Sequence, residues 1–494
     1  MKFLEIENAK NIDEFLDQFK NQKIHLLGIS SQEIRSICDY LIYKKIRNLV
    51  LHDTIEQKDF EKNFISLDDS RTKLESKKML SKIKKQNFIW QFKEKYGQNI
   101  KQNDLVIVSQ AYFRYPANKK IIDLANKNEI CLTQAIELVF KISSGKIIGI
   151  TGTVGKSTVT EMIKTIFETA KKPFYHSGND RENKWDLIQL SKMSKKSWSI
   201  IEVSNRHLKN LKQSPHIGIL TNLFPHHLDD HGSFKKYIFD KTNIFRFQNH
   251  HNYAILNQEI IDEKLLNLKE FDTQIFSFKV RPFKKGEDFS KRSISLILNN
   301  KRKEIIKVLD LYLPSEHIAK NALAAAMAAN FAGIKPLEIS KGLKNYKGLK
   351  YRIQYLGKIK NSKVYNDGKS SDPIGTISAI KSIPEKKILI MGGVREGIGK
   401  SDFKDLAEII KKENVKKVFV YGKSRNAIKG QILKSGFKDI KVISNFDQAV
   451  KEAFQLLNNE TIIFSPACQS FDQFKDYRER AEKFNQIFKK YSSK

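Results

Sequence analysis

Short apolar runs that end at turn residues recur along the chain, with helical segments between them. Strands that are apolar throughout are buried on both faces, which is typical of parallel sheets covered by helices. The pattern therefore predicts an α/β fold dominated by parallel sheets. The runs are IHLLG, NLVLHD and DLVIVSQ, then GKIIGITG, WSIIEVS, IGILTN and NYAILN, and finally KKILIMGG, VKKVFVYG, DIKVIS and ETIIFSP.

The 494 residues are enough for about three domains, at roughly 100–200 residues each. We predict three consecutive α/β domains: a Rossmann-like domain at 1–131, a central ATPase of the phosphate-loop type at 132–349, and a second Rossmann-like domain at 350–494. Segment 56–100 has a charged helical pattern, and segment 279–306 predicts a peripheral hairpin or insertion. The Ala-rich run NALAAAMAANFAGI predicts a helix that Gly333 ends.

The net charge of +34, from 89 Lys and Arg against 55 Asp and Glu, suggests a nucleic-acid partner. The distribution of the charge argues against that partner. Lysines predominate over arginines, the residues that read phosphates and guanine bidentately, and they alternate with acids, as in KKENVKK. A solvated lysine-rich surface is therefore favoured over a nucleic-acid face.

The three cysteines lack any CxxC spacing, which fits a reducing cytosol. The N-terminus carries acids and no apolar run, so we expect no signal peptide. No stretch approaches the roughly 18 apolar residues of a membrane-spanning helix. We expect a cytoplasmic monomer that does not bind membranes.

The segment TGTVGKST, at 151–158, lies between a strand pattern and a helical pattern. Backbone N–H groups and a helix N-terminus can cradle phosphates at such a place. Gly152 and Gly155 permit close approach of the backbone, Lys156 can reach the β- and γ-phosphates, and Ser157 can hold Mg²⁺. A structural glycine turn is the alternative, but the context favours nucleotide binding.

A carboxylate and a histidine-rich segment follow in the same region. Glu202 ends the run WSIIEV, where it could be a second ligand of Mg²⁺. The segment NLFPHHLDDH, at 222–231, could form a zinc site, although no Cys lies nearby and the spacing fits no common zinc module. A solvated polar loop is another alternative. We favour a role beside a nucleotide-bound metal.

Together these pieces resemble the Mur ligase family, the ATP-dependent amide-forming enzymes of peptidoglycan synthesis. The C-terminal segment is the most specific match, and it is similar to the branch of the family that adds D-glutamate. The matching segments are TGTVGKST, EVS at 202–204, NLFPHHLDDHGS through Lys241, HIAKNALAA at 317–325, YR at 351–352, YNDGKSSDP at 365–373, and SPACQSFDQFKDYRERAEKF at 465–484.

The resemblance implies a carbon–nitrogen ligase that joins D-glutamate to UDP-N-acetylmuramoyl-L-alanine through an acyl phosphate and releases ADP and phosphate. It implies ATP and Mg²⁺ as cofactors, with two ions, and small-molecule substrates. It also implies a carbamylated Lys241, which would serve as a carboxylate-like metal ligand. The resemblance implies catalytic roles for Lys156, Asn179, His227, Lys241 and Lys369, and metal binding by Ser157, Glu202, His227 and Lys241. It implies that ATP is bound by Gly152, Thr153, Gly155, Lys156, Ser157, Thr158, Asn321, Arg352 and Asp367. It also implies that the amino acid is bound by Ser371, Lys400, Ser470 and Tyr477, and the UDP-sugar by Gly28, Thr54 and Ser109.

The first domain departs from the family pattern. The turn after the first strand, at 28–33, has one glycine where the family is glycine-rich, and Ser109-Gln110-Ala111 stands where Ser-Pro-Gly is usual. Ile55 stands where an Arg is common. These departures leave open a related amide ligase with another sugar nucleotide or acid. A nucleic-acid-binding NTPase and an inactive homologue are the remaining alternatives.

Overall fold

The computed structural model describes residues 5–66, 70–115, 118–128, 130–178, 183–225, 228–283, 291–298, 301–395 and 403–492. They form two compact units. The first comprises Met1–Lys279, Leu296–Ile305 and Lys320–Leu343, and the second comprises Val280–Ser295, Ile306–Ala319 and Lys344–Lys494. Within the described ranges, no helix is both long and apolar enough to cross a bilayer.

The first unit begins with a five-stranded sheet in which every neighbouring pair is parallel. Its strands are β1 (Ile24–Leu27), β2 (Leu49–Asp53), β3 (Ile89–Phe92), β4 (Leu105–Val108) and β5 (Cys131–Gln134), in the order β3-β2-β1-β4-β5. Its helices are α1 (Ile12–Asp17), α2 (Gln32–Tyr43), α3 (Gln57–Ser66), α4 (Lys73–Lys84), α5 (Lys119–Lys127) and α6 (Ala135–Ile142). Segment 56–100 contains the two helices α3 and α4, as its pattern predicts, but the prediction is wrong for Ile89–Phe92, which pairs with β2 as a strand.

The second sheet of this unit is also parallel throughout. Its strands are β6 (Lys146–Thr151), β7 (Phe174–Gly178), β8 (Trp198–Glu202), β9 (Ile217–Leu220), β10 (Tyr253–Asn257) and β11 (Gln274–Phe278), in the order β11-β10-β9-β6-β8-β7. The helices of this region are α7 (Lys156–Thr169), α8 (Leu187–Ser191), α9 (Asn205–Leu208), α10 (Leu228–His231), α11 (Phe234–Arg246) and α12 (Gln258–Asp262).

The chain then forms a small two-stranded sheet and two helices before the third large sheet. These elements are β12 (Ser293–Leu298), β13 (Lys301–Lys307), α13 (Glu316–Phe331) and α14 (Pro336–Asn345). The strand pair agrees with the hairpin predicted for 279–306. The Ala-rich helix ends as predicted, because Gly333 has a φ of +80° just beyond its last residue.

The third sheet lies in the second unit and is parallel except at one edge, where β14 runs antiparallel to β15. Its strands are β14 (Gln354–Ile359), β15 (Ser362–Asn366), β16 (Lys387–Gly392), β17 (Val415–Tyr421), β18 (Ile440–Val442) and β19 (Thr461–Phe464), in the order β14-β15-β19-β16-β17-β18. Its helices are α15 (Pro373–Ser382), α16 (Lys404–Lys412), α17 (Arg425–Lys434), α18 (Phe446–Gln455) and α19 (Tyr477–Ser492).

The hydrophobic core of the first unit is continuous between its two sheets. Leu26 of β1, Leu138 of α6 and Ile201 of β8 are fully buried in one cluster. The chain passes from the first sheet to the second between Gln134 and Lys146, because β5 still pairs with β4. The parallel α/β fold class is confirmed, while the domain limits at 131 and 349 stay predictions.

Candidate active site

The glycine loop connects β6 to α7 and is shaped by two glycines. Gly152 has a φ of +146°, and a Cβ there would lie 1.9 Å from Thr221 Oγ1. Gly155 has a φ of +87°, and a Cβ there would lie 2.7 Å from Asn321 Oδ1. The loop therefore needs glycine at both positions for the backbone angle, and at Gly152 also for the space that Thr221 and the Asn222 backbone occupy.

Two residues that follow β9 hold the tip of the loop in place. Thr221 Oγ1 donates a hydrogen bond to the Val154 carbonyl at 2.7 Å. The Val154 N–H donates to Asn222 Oδ1 at 2.9 Å, and Asn222 Nδ2 donates back to the Val154 carbonyl at 3.0 Å. Thr221 was not predicted as a site residue, and Asn222 was included only as the first residue of the segment 222–231. These hydrogen bonds constrain the conformation of the loop.

Two predicted lysines converge on this loop. Lys156 Nζ donates to the carbonyls of Gly152 and Thr153, at 2.9 and 3.0 Å. Lys241 Nζ, from α11, donates to the same Gly152 carbonyl at 3.0 Å and to Thr151 Oγ1 at 3.2 Å. The side-chain nitrogens of both lysines therefore lie at the loop where a phosphate would bind.

Lys241 is almost completely buried, with 1% of its surface exposed. Burial, reinforced by the positive charge of Lys156, lowers the pKa of Lys241 well below its ordinary value, and the Glu202 carboxylate only partly opposes this. The Tyr237 ring also lies beside it, with its centroid 5.0 Å from Nζ. A neutral amine is nucleophilic, which an ammonium is not.

Glu202 is the last residue of β8. The carboxyl end of β8 lies beside the carboxyl end of β6, which leads into the glycine loop. Glu202 pairs with Ile150 of β6 and with Gly178 of β7. Its side chain is buried, with 2% exposed, and its charge acts on Lys241. Ser157 and Thr158 follow Lys156 in the first turn of α7, where both are partly buried.

The structure therefore brings together most of the predicted central-site residues. These are Gly152, Thr153, Gly155, Lys156, Ser157, Thr158, Glu202, Lys241 and Asn321. Three predicted residues, Asn179, His227 and Lys400, lie outside the described residues.

The hydrogen-bonded network of Asp240, His231 and Asn205, which begins at the residue before Lys241, was also not predicted. Asp240, its neighbour on α11, has Oδ2 2.6 Å from His231 Nδ1. His231 Nε2 in turn lies 2.8 Å from Asn205 Nδ2. The described residues contain no group of three or more His, Cys, Asp or Glu that could hold a metal ion.

A second group of predicted residues lies at the carboxyl edge of the third sheet. Asp367 follows β15 and is buried. Its Oδ1 accepts a hydrogen bond from the Ile353 N–H at 3.1 Å, and its Oδ2 accepts one from Ser465 Oγ at 2.6 Å. Burial raises the pKa of Asp367 to about 6, although Ser370, Ser465 and Arg352 act in the opposite direction.

Lys369 and Tyr477 also meet at this edge, with Lys369 Nζ 5.8 Å from the ring centroid. Ser470 is buried after β19, whereas Ser371 and Arg352 are exposed. The fully buried Arg480 joins the loops, since it donates to the carbonyls of Cys468 at 3.0 Å and Gly368 at 3.2 Å. Arg480 was not predicted, although it belongs to the C-terminal segment that carried the resemblance.

The third predicted group consists of Gly28, Thr54 and Ser109, which follow β1, β2 and β4. The carboxyl ends of these parallel strands share one edge of the first sheet. Gly28 has a φ of +85°, and Thr54 is exposed. Ligands bind at this edge in open α/β sheets.

Comparison with known proteins places the chain in a family. A protein of Thermoanaerobacter pseudethanolicus named UDP-N-acetylmuramoylalanine–D-glutamate ligase is 30% identical over 421 residues, which are 84% of this chain and 89% of that protein. The chain belongs to the Mur ligase family. A protein of the same name from Caldanaerobacter subterraneus subsp. tengcongensis is 29% identical over 473 residues, covering 94% of this Mur ligase and 98% of the relative. The family model for the Mur ligase middle domain matches residues 150–329.

Solved structures have the same fold. A pseudomurein peptide ligase type C from Methanothermus fervidus superposes with a TM-score of 0.55 at 16% identity, covering 95% of this chain and 99% of its own. UDP-N-acetylmuramate-alanine ligase from Thermotoga maritima gives a TM-score of 0.55 at 18% identity, with coverages of 96% and 100%. These likenesses confirm the predicted architecture of consecutive α/β domains.

Proposed function

We propose that this Mur ligase adds D-glutamate to UDP-N-acetylmuramoyl-L-alanine in peptidoglycan synthesis. The protein is an ATP-dependent carbon–nitrogen ligase that joins an acid to an amino acid. The observation that carries the assignment is the 29% identity with a D-glutamate ligase over 94% of the chain. The phosphate loop, with Lys156 and Lys241 bonded to it, supplies the chemistry that such a reaction needs.

A carboxylate is a poor electrophile, and this explains the need for ATP. The acceptor carboxylate attacks the γ-phosphorus, so that a C–O–P linkage forms and ADP leaves. The amine of D-glutamate then attacks the acyl carbon, the C–O bond breaks, and phosphate departs. Lys156 and the loop N–H groups stabilise the charge on the transferring phosphoryl group.

Oxygen donors beside the loop fit Mg²⁺, which prefers hard oxygen ligands. Ser157 and Glu202 would hold one ion, and His227 with a carbamylated Lys241 would hold a second. A bound ion would neutralise charge on the phosphate oxygens. The lowered pKa of Lys241 supports the carbamate, because only the neutral amine adds to CO₂, forming an N–C bond and losing a proton.

The remaining site residues are proposed for the nucleotide and the amino acid. Asn321, Arg352 and Asp367 would contact ATP, while Asn179 and Lys369 would act near the reacting groups. The amino acid would be held by a lysine and three hydroxyl groups, which suit the carboxylates of glutamate. These residues are Lys400, Ser371, Ser470 and Tyr477.

The acceptor is proposed to lie at the edge of the first sheet beside Gly28, Thr54 and Ser109. We also propose the three-domain division at 131 and 349, a cytoplasmic monomer, and no nucleic-acid or membrane partner. Added DNA or RNA should leave ATP turnover unchanged, and any binding to nucleic acid should disappear at moderate salt.

The test is phosphate release from ATP by the purified protein with UDP-N-acetylmuramoyl-L-alanine and D-glutamate, with the amide product identified by mass spectrometry. Lys156→Ala should lower the rate by about 100-fold or more, because it removes a group that stabilises phosphoryl charge. Lys164→Ala, on the same helix, is the matched control, since Lys164 pairs with Glu161 at 2.7 Å. Release with another amino acid but not with D-glutamate would identify a different ligase of this family.

A further inference from the structure

A cavity of about 1180 Å³ lies in the first unit, beside the edge strand β5. All four residues of β5, Cys131–Gln134, line it, together with part of α5, the segment 5–8 and residues that follow α9. Within the described part of the first sheet, no further strand covers the outer side of β5. The described residues that line the cavity include none of those proposed for the ligase reaction. The proposed function therefore gives this cavity no role.

Apolar side chains form part of the cavity wall. Phe113, Ile122 and Leu132 line the cavity and are only partly buried, although they pack against the hydrophobic cluster that contains Val106 of β4. A ligand that covers these side chains would remove their remaining apolar surface from water, which favours binding. Pockets for small molecules are typically built in this way, from apolar walls and a few polar groups that fix orientation.

Gln134 supplies such a polar group. Its side chain lines the cavity and is buried, since only 1% of the residue is exposed. The backbone N–H of Gln134 donates to Glu137 Oε2 at 2.9 Å, but the side-chain Nε2 has no hydrogen-bond partner among the described residues. A buried amide donor without an acceptor costs free energy. A ligand that brings a carbonyl oxygen to Nε2 would remove this cost.

Three carboxylates restrict the charge of a ligand in the cavity. Glu5, Glu7 and Glu137 line it, and burial raises the pKa of Glu7 and of Glu137 above the ordinary value. The two lysines among the described lining residues are already bonded. Lys212 Nζ lies 2.8 Å from Glu5 Oε2 and 3.4 Å from Glu7 Oε1, and Lys209 Nζ donates to a backbone carbonyl at 3.0 Å. A negatively charged ligand would therefore be repelled, whereas a neutral one would not.

From these observations we infer that the cavity beside β5 is a further binding site, which takes a neutral molecule that carries an amide and an apolar group. The carbonyl oxygen of that amide accepts a hydrogen bond from Gln134 Nε2, and the apolar group covers Phe113, Ile122 and Leu132. The substrates of the proposed reaction carry phosphates or carboxylates, so this ligand is a different compound and its site is separate from theirs.

The first test uses N-acetyl-4-fluorophenylalanine amide, a neutral probe with two amides and a fluorinated ring. Titration of the purified protein, followed by ¹⁹F NMR linewidths, should give saturable binding with a Kd of about 1 mM or tighter. The free acid, N-acetyl-4-fluorophenylalanine, has a carboxylate in place of the primary amide and should bind at least about tenfold more weakly. Equal affinities, or no saturable binding of the amide, would overturn the inference.

Variants of the lining residues locate the bound probe. Gln134→Leu removes the amide and should raise the Kd by about tenfold. The melting temperature of the ligand-free variant should not fall, because Nε2 has no partner to lose. Ile122→Trp, at a half-buried position of α5, fills the cavity and should abolish binding; it serves if Gln134→Leu does not fold. Gln448→Leu, at an exposed position of α18, is the matched control and should leave the Kd unchanged.

An unchanged Kd in folded Gln134→Leu or folded Ile122→Trp would overturn the inference. Competition separates the cavity from the sites of the proposed reaction. ATP, D-glutamate and UDP-N-acetylmuramoyl-L-alanine should each leave the Kd of the probe unchanged, and displacement of the probe by any of them would also overturn the inference. These measurements need no turnover, so they decide the inference even if the proposed reaction is not observed.

Discussion

Burial of Lys241, for which we propose a role in metal binding, also affects the stability of the folded protein. Its pKa in the folded protein lies well below 10.5, so the unfolded chain binds one more proton between the two pKa values. The free energy of unfolding therefore rises with pH through that window, and burial of this amine destabilises the fold at neutral pH.

We expect Lys241→Met to abolish ligase activity while raising the free energy of unfolding at neutral pH by about 1–3 kcal/mol. The gain should shrink as the pH rises towards 10.5. Thermal unfolding across this pH range measures it, with the exposed Lys235→Met as control. A lower melting temperature for Lys241→Met at neutral pH would show that the bonds to Thr151 and Gly152 outweigh the desolvation.

Asp367 leads to a prediction with the opposite pH dependence. Its pKa is raised from 3.8 to about 6, so the folded state binds more protons than the unfolded state between about pH 4 and pH 6. The free energy of unfolding should fall over this interval as the pH rises, by about 3 kcal/mol from this group. Asp367→Asn should lack that decrease in denaturant titrations. An equal decrease in the variant would assign it to other groups.

Candidate site residues that lie in one contiguous motif could be predicted from the sequence itself. The residues that contact them from other parts of the chain were harder to predict. Lys156 and Ser157 belong to a loop whose spacing itself specifies phosphate binding. Asn321 and Lys241 were predicted only through the resemblance, because tertiary structure brings them to the loop. The His231–Asp240 pair and Arg480 were not predicted, since a buried polar pair leaves no signal in the spacing of its members.

At the scale of elements, the strand–loop–helix unit gives a prediction about space. Gly152→Ala would place a Cβ 1.9 Å from Thr221 Oγ1 at a φ of +146°. We expect kcat/KM for ATP to fall by about 100-fold or more, because the loop must shift away from its phosphate-binding geometry. Gly333→Ala, with a φ of +80° and nothing within 4 Å, is the matched control. It should cost about 1 kcal/mol of stability and leave catalysis unchanged.

Strands in the interior of the sheets were predicted far better than those at the edges. Apolar runs identified β1, β2 and β4, the four inner strands of the second sheet, and β16, β17 and β19. The strands β3, β5, β7, β11 and β14 were missed, and all lie at sheet edges. There are two exceptions: the edge strand β18 was predicted from the run DIKVIS, and the inner strand β15 was missed. Edge strands are partly solvated, as in β11, where most side chains are exposed or half-buried, so they lack the continuous apolar run.

For the whole molecule, the charge of +34 fits the proposed lysine-rich surface. Many lysines form ion pairs with side chains that remain substantially exposed, such as Lys93 with Glu56 and Lys363 with Glu385. Such pairs each contribute about 0–1 kcal/mol to stability. Only four lysines have proposed roles, namely Lys156, Lys241, Lys369 and Lys400.

The distribution of the cores predicts how the whole molecule unfolds. The first two sheets share one hydrophobic cluster, to which Leu138 belongs, while the third sheet has its own, to which Ile462 belongs. We therefore expect two calorimetric transitions rather than the three that three independent domains would give. Leu138→Ala and Ile462→Ala each delete a fully buried side chain and should each cost about 2–5 kcal/mol.

The two variants should act on different transitions. Leu138→Ala should lower only the transition of the unit that contains the first and second sheets, because its side chain packs in their common core. Ile462→Ala should lower only the transition of the unit that contains the third sheet. Three resolved transitions, with Leu138→Ala lowering one and leaving two in place, would show that the shared core does not make the first two sheets cooperative. In that case, the division at residue 131 would also be a thermodynamic boundary.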